Sequence, residues 1–138
     1  MQTTINIMNP KVLNIAMKIR RFGILNGFLV ASTILSGAYV AGNDAGNAYN
    51  SFPMMNDHWI PPEILELKPL WRNFFENTCT VQFDHRVLAL STLASIAAMY
   101  RMATKSSVFP YLPIYTRNAL HGVAAMALTQ VGCRIIKF

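Results

Sequence analysis

The sequence has little charge for its length. Of its 138 residues, 13% are charged and 53% are hydrophobic. A soluble domain usually carries about 25% charged residues, so this chain lacks about half of the solvating surface that such a domain needs. The composition therefore favours a chain that lies in lipid, a piece of a larger protein, or both.

Acidic residues are missing from both ends of the sequence. All six lie between residues 44 and 84, a stretch that holds only two basic residues. The other ten basic residues lie close to the ends of apolar segments, as they do beside membrane spans. Nucleic-acid-binding proteins instead gather Lys and Arg on one face or in one arm. We therefore expect membrane lipid as a partner and no nucleic acid, despite the net charge of +6.

Cysteine is scarce, and the common metal-ligand patterns are missing. Cys79 and Cys133 match no zinc or CxxC spacing, and we interpret them as two unpaired thiols. The sequence also lacks a phosphate loop and a nucleophile elbow. Residues 1–21 contain no acid and resemble a mitochondrial presequence. They lead directly into an apolar segment, however, and we interpret them as its basic N-terminal flank.

The apolar runs predict an all-α integral membrane helical bundle. We expect about three transmembrane helices, over residues 22–41, 81–102 and 117–134. The first run has twenty residues without a charge, enough at about 1.5 Å per residue to cross the roughly 30 Å hydrocarbon core. Gly23 and Gly27 form a GxxxG step on this run, which favours close helix packing. The third run has a short apolar core and is the weakest of the three.

A long polar connection, residues 42–80, joins the first two predicted spans. It contains four prolines and both tryptophans of the sequence, and tryptophan favours the headgroup level of a membrane. The spacing of its apolar residues predicts a short interfacial helix over residues 64–75. We therefore expect this loop to fold back over the membrane surface.

The basic residues also predict the orientation of the chain. Four of them lie in the N-terminal flank, and Arg101, Lys105 and Arg117 lie in or beside the connection between the second and third spans. The positive-inside rule places both regions on the cytoplasmic or matrix side of the membrane. The long acidic loop is then expected to face the opposite compartment.

His85 is the side chain best placed for chemistry. It lies at the start of an apolar helix, where an ionisable residue is costly unless it is used, and a neutral imidazole is a common axial ligand of haem iron. The adjacent Arg86 could pair with a haem propionate, which its planar guanidinium suits. The alternative is a headgroup-level histidine that hydrogen-bonds to the loop backbone. The residue pattern alone favours this alternative.

Three other polar residues have simpler interpretations. His58, beside a tryptophan in the loop, is interpreted as a surface histidine at the interface. His121, within the third apolar run, is interpreted as a polar contact between helices. Asp44 follows the first span and is interpreted as part of a structural turn.

Several stretches resemble one family, the mitochondrial haem A synthases. They are residues 36–46 (SGAYVAGNDAG), 49–53 (YNSFP), 72–78 (RNFFENT) and 81–86 (VQFDHR). The resemblance implies an oxidoreductase of the mitochondrial inner membrane that assists cytochrome c oxidase assembly. Such an enzyme oxidises the C8 methyl group of haem O to a formyl group, which gives haem A.

The resemblance also implies a cofactor and its ligands. Family members have eight transmembrane helices in two similar halves, and each half supplies a pair of histidine ligands. The first ligand of each pair lies in a His-Arg step at a helix start. His85 and Arg86 match that step in the half assigned to haem b, which implies His85 as an iron ligand and Arg86 as a haem-binding residue.

The resemblance covers only helices five to seven of the eight. Residues 22–138 correspond to part of the second half, without the helix that carries the other haem b ligand. We therefore expect this chain alone to be inactive. The alternative is a non-catalytic haem-binding or interaction fragment, whose partners would be oxidase assembly factors or a second copy of itself.

Overall fold

A computed structural model of the chain describes residues 10–49, 51–106 and 109–136. Within these residues the fold is all-α, as predicted, with one isolated bridge between Met55 and His58 and no strand. The five helices are α1 (Pro10–Gly42), α2 (Ala45–Ala48), α3 (Asn73–Glu76), α4 (Thr78–Lys105) and α5 (Ile114–Ile136). Two short 3-10 turns, Leu70–Arg72 and Phe109–Tyr111, precede α3 and α5 respectively.

Helix α1 is longer than the first predicted span. It has 33 residues and includes part of the basic flank, because proline is tolerated at its first position and none follows before the helix ends. The helix ends where Asp44 adopts a left-handed conformation, with a φ of 50°. Aspartate tolerates this conformation better than most residues, so Asp44 has the turn role that was predicted.

Helix α4 begins at a side-chain cap. The Oδ1 atom of Asn77 accepts hydrogen bonds from the backbone N–H groups of Cys79 (2.9 Å) and Thr80 (3.1 Å). Asparagine is among the preferred residues for this position, since it pairs N–H groups that have no partner inside the helix. The cap starts α4 three residues before the predicted span.

Two helices of the described residues are long and apolar enough to cross a membrane, Leu13–Gly42 and Thr78–Lys105. Within the chain only 6% of the first apolar window and 22% of the second are buried. Most of this apolar surface therefore needs lipid or further protein to cover it. Helix α5 has 23 residues, but it is not one of these two, and a third span over residues 117–134 stays a prediction.

The predicted interfacial helix over residues 64–75 is wrong for most of its length. Helical geometry begins only at Leu70 and continues through Glu76. Pro69 explains the difference, because a proline inside a helix removes a hydrogen bond and clashes with the carbonyl group four residues earlier. Leu65 also has a φ of 60°, which a helix does not allow.

Side-chain amides hold the non-helical part of the loop together. Asn73 is fully buried, and its Nδ2 donates to the carbonyl oxygens of Leu67 (2.7 Å) and Leu70 (2.9 Å). Its Oδ1 accepts from the backbone N–H of Leu67 (2.8 Å) and from Asn77 Nδ2 (3.0 Å). Asn77 Nδ2 also donates to the carbonyl oxygen of Glu63 (3.0 Å). The two amides thus replace the backbone pairing that a helix would have given.

The chain divides into two compact units. Phe28–Thr92 form one, and the described residues of 1–27 and 93–138 form the other. The second of these has a small apolar core of Met99, Ala103 and Leu120, which Ile19, Phe109 and Leu112 surround. The unit Phe28–Thr92 contains the loop and His85.

The Asn73 network predicts a large cost for the substitution Asn73→Leu. It keeps the branched shape of the side chain but leaves buried backbone groups of the loop unpaired, so we expect a loss of about 2–4 kcal/mol in the free energy of unfolding. The measurement is thermal unfolding of the detergent-purified chain. Asn118→Leu, at an exposed position of α5, is the control and should change the midpoint little. Equal effects of the two variants would contradict the role of Asn73.

Candidate functional site

His85 lies near the start of α4, with its imidazole ring against the backbone of α1. A Cβ atom added at Gly37 would stand 3.1 Å from His85 Cε1, 3.6 Å from Nδ1 and 3.9 Å from Nε2. A separation of 3.1 Å is too close for an ordinary carbon contact. Gly37 therefore gives the Cε1 edge of the ring the room to approach the neighbouring helix. At Gly23 and Gly27, the glycines that the sequence pattern selected, no atom of the described residues lies within 4 Å of such a Cβ.

Two hydroxyl groups form a second contact between α1 and α4, about two turns after His85 along α4. Thr33 Oγ1 donates to the carbonyl oxygen of Leu29 (2.7 Å) and lies 2.9 Å from Thr92 Oγ1. Because the single hydroxyl proton of Thr33 is used, Thr92 is the donor in that pair. Thr92 is buried. It lies two turns after His85 on the same face of α4, and at this residue α1 covers that face.

An open cleft of about 180 Å³ lies on the His85 end of the two helices. Ser36 and Tyr39 of α1 line one side, and Asp84 and Leu88 of α4 line the other. The ring of Phe75 packs edge-on against Tyr39, with 5.3 Å between the ring centres. The cleft thus combines apolar walls with one carboxylate and two hydroxyl groups.

Arg86 fastens the loop to α4. Its Nη2 donates to the carbonyl oxygens of Tyr49 (2.7 Å) and Ser51 (2.9 Å), and its Nη1 donates to that of Met54 (3.2 Å). Gln82, which is buried and lies one turn earlier, donates from Nε2 to the same Tyr49 oxygen (2.9 Å). The guanidinium therefore binds backbone carbonyl groups, where the sequence suggested a haem propionate. Hydrogen bonds to charged donors are stronger than neutral ones.

Tyr49 also joins the loop to α4 through its side chain. Its phenol interacts with the buried thiol of Cys79. Burial raises the pKa of Tyr49 to about 12, and the bond to Cys79 adds to the effect. The phenol therefore stays protonated at neutral pH. Cys79 is a free thiol, as predicted, and the side chain of Cys133 lies outside the described residues.

The other two histidines are engaged elsewhere, as the sequence suggested. His58 is exposed, and its Nδ1 lies 2.9 Å from the carbonyl oxygen of Asn56. His121 pairs with the hydroxyl of Tyr100 (3.0 Å from Nδ1) and stacks edge-on against Tyr100 and Phe109. In the described part of the chain, no three His, Cys, Asp or Glu side chains come together as a metal cluster.

These residues fit one face of a haem. The porphyrin supplies four nitrogens to its iron, so the protein needs to add only an axial ligand on each side. His85 offers an imidazole that packs against the backbone of α1 at Gly37, a contact that we call the glycine cradle. The ring lies beside a cleft with apolar walls.

Comparison with known proteins gives consistent matches. The sequence profile of the COX15-CtaA family, described as cytochrome oxidase assembly protein, matches residues 2–137. Heme A synthase COX15 of Arabidopsis thaliana is 52% identical over 114 residues, which cover 83% of this chain and 25% of that protein. Heme A synthase COX15 of Homo sapiens is 43% identical over 119 residues, 86% and 28% respectively.

A bacterial relative shows the same partial coverage. Heme A synthase of Ruegeria pomeroyi is 52% identical over 115 residues, which cover 81% of this chain and 29% of that protein. The chain therefore spans about a quarter of the length of the curated relatives that it matches. No solved structure matches the chain significantly.

The glycine cradle predicts opposite outcomes for two equivalent substitutions in α1. Gly37→Ala places a methyl group against the His85 ring and should lower stability by about 1–3 kcal/mol through overpacking. Gly27→Ala meets no neighbour within 4 Å and should raise helix stability by up to about 1 kcal/mol. Thermal unfolding of both variants in detergent measures the difference. A stabilised Gly37→Ala variant would show that the ring does not depend on this cradle.

The Arg86 contacts predict that Arg86→Gln loosens residues 49–58 without unfolding the helices. Three hydrogen bonds from a charged donor are lost, so we expect proteolytic cleavage in this segment to become at least about tenfold faster. Limited proteolysis followed by mass spectrometry locates the cuts. Arg101→Gln, which removes an exposed charge from the same helix, serves as the control. Unchanged cleavage in the Arg86 variant would contradict the clamp.

Proposed function

The chain belongs to the cytochrome oxidase assembly protein family and is a membrane protein, and from this premise we propose that it forms a haem-binding segment of a haem A synthase. In this proposal the longer enzyme oxidises the C8 methyl group of haem O to a formyl group. The names of the related proteins support the proposal at the level of the reaction. The segment would contribute an axial ligand and the walls around it.

One observation carries the proposal, the placement of His85 against Gly37. An imidazole held edge-on at the mouth of an apolar helix pair has its position fixed before any ligand arrives. This preorganisation lowers the entropy that binding must overcome. We propose His85 as an axial ligand of haem b iron, which matches the His-Arg step of the family. When bound, the haem would supply the redox-active iron.

The other residues of the site would bind and shield the haem. The apolar walls of the cleft, with Leu88 among them, would take up the edge of the macrocycle. Arg86 and Gln82 would hold the loop at Tyr49, Ser51 and Met54 beside this part of α4 and so keep water from it. Arg86 remains proposed as a haem-binding residue, but its contacts favour an indirect role through the loop.

The location that we propose is the mitochondrial inner membrane, with more than one span. The basic residues of α1 and those near the start of α5 would lie on the matrix side, since positive charge favours that side. The acidic loop would then face the intermembrane space, with His85 at that end of its helix.

A second candidate function rests on the exposed face of α1. Phe28 is 72% exposed, Ile34 67% and Leu35 64%. Apolar side chains of this size on a membrane helix pack against lipid or against other helices. This favours, as the alternative, a non-catalytic segment that associates with oxidase assembly factors or with a second copy of the chain.

The proposed ligand predicts that His85→Ala abolishes haem retention. The chain is purified, reconstituted with haem b and passed through gel filtration, and the Soret absorption that stays with the protein is measured. His58→Ala and His121→Ala remove the other two histidines and should retain the haem. Circular dichroism checks that each variant keeps its helices.

Full retention by His85→Ala would contradict the proposed ligand. Loss of haem in all three variants alike would also contradict it, because the binding would then not depend on one imidazole. If none of the proteins binds haem but the chain co-purifies with another membrane protein, the second candidate function is favoured.

A further inference from the structure

The unit built from residues 1–27 and 93–138 has cations and no acids in its described part. All six acids of the sequence lie between residues 44 and 84. The basic residues that concern the inference are Lys18, Arg20, Arg21, Arg101, Lys105 and Arg117. Among the described residues the one salt bridge joins Arg72 to Glu76, both in the other unit. The cations of this unit thus have no carboxylate of their own to pair with.

We propose that these cations form a binding site for the headgroup phosphate of an anionic phospholipid, with Arg117 as its anchor. The site is separate from His85, and the inference uses the membrane location of the chain and not its haem chemistry.

The position of the Arg117 guanidinium is fixed by an aromatic ring. Its Cζ atom lies 5.0 Å from the ring centre of Phe109, within the range of a cation–π interaction. Phe109 in turn stacks edge-on against His121, which pairs with Tyr100. A charged side chain on the surface normally loses rotamer freedom when it binds a ligand. Here the stacking has already removed much of that freedom.

The same guanidinium has an unsatisfied donor. Arg117 Nε is buried, and it has no hydrogen-bond partner among the residues that the structure describes. A buried donor without an acceptor is costly, and more so on a charged group. A phosphate offers several acceptor oxygens, and the planar fork of arginine binds two of them at once. Arg117 as a whole is partly exposed, so a phosphate beside the buried Nε would pair with the outer nitrogens of the fork and balance the charge.

The small apolar core of this unit brings further cations to the same level. Ile19 of α1 packs against the cluster that includes Ala103 of α4 and Leu120 of α5. The exposed Lys18 and Arg20 flank Ile19 on α1, and the exposed Arg101 and Lys105 lie two residues before and after Ala103 on α4. Three helical segments thus present positive charge around one apolar cluster.

This combination favours a lipid over a soluble anion. Phospholipids join a phosphate to acyl chains, and here the Arg117 guanidinium belongs to a helix whose apolar residues Ile114 and Val123 are exposed. Basic residues next to membrane helices attract anionic lipid headgroups, by about fivefold in binding for each cation near the surface. Arg117 distinguishes the site from a diffuse charge effect, because its contribution depends on geometry as well as charge.

The test compares lipid binding to the full chain and to charge-neutralised variants. Native mass spectrometry of the detergent-purified protein counts retained phosphatidylglycerol in competition with phosphatidylcholine. The unaltered chain should prefer phosphatidylglycerol, and Arg117→Gln should weaken that preference about fivefold. Arg117→Lys keeps the charge but loses the fork, so it should show an intermediate loss. Arg72→Gln removes one positive charge from the other unit and should leave the preference unchanged.

The other possible results of the lipid-binding test also support or overturn the proposed site. Equal losses in Arg117→Gln and Arg72→Gln would overturn the proposal, because only net charge would then matter. Binding of inorganic phosphate that phosphatidylglycerol does not displace would overturn the choice of a lipid. If Arg117→Gln fails to fold, the double variant Arg101→Gln, Lys105→Gln tests the same surface at exposed positions and should weaken the preference. Haem retention should stay unchanged in the folded variants, so a failure here is distinct from a failure of the His85 ligand.

Discussion

The close approach of α1 and α4 at Gly37 is the constraint on which the site depends. One missing side chain lets the His85 ring lie against a helix backbone, with 3.1 Å between Cε1 and the position of the absent Cβ. The Thr33–Thr92 hydroxyl pair maintains the contact further along the same two helices. Helices in lipid gain little from the hydrophobic effect, so close packing and hydrogen bonds of this kind determine how they associate.

In the loop, side chains form the hydrogen bonds that backbone N–H and C=O groups would form with one another in a helix. Most of its segment before α3 is not helical, and its polar backbone is paired by the side chains of Asn73 and Asn77 and by Arg86. Buried amides with all their partners in place specify one arrangement and tolerate few others. The loop and the start of α4 therefore form one connected structure, because Asn77 caps the helix and belongs to the amide network at once.

The sequence predicted the helices better than it predicted the contacts between them. Long apolar runs have a clear length and end at polar turn residues, so the all-α class and the turn at Asp44 could be predicted, whereas α4 begins two turns before His85. The helix over residues 64–75 was wrong because apolar spacing was given more weight than Pro69, which interrupts it. The roles of Gly37 and Asn73 could not be predicted, since a glycine cradle and a buried amide depend on residues far away in the sequence. The GxxxG spacing pointed to other glycines, and only the geometry distinguishes between them.

Arg86 and Gln82 hold the loop through carbonyl oxygens, those of Tyr49, Ser51 and Met54. Every amino acid has this group, proline included. As far as these contacts are concerned, the identities of the loop residues can drift over evolution while the attachment persists. We then expect selection to act on Arg86 and Gln82 of α4, because these two side chains determine the path of the loop.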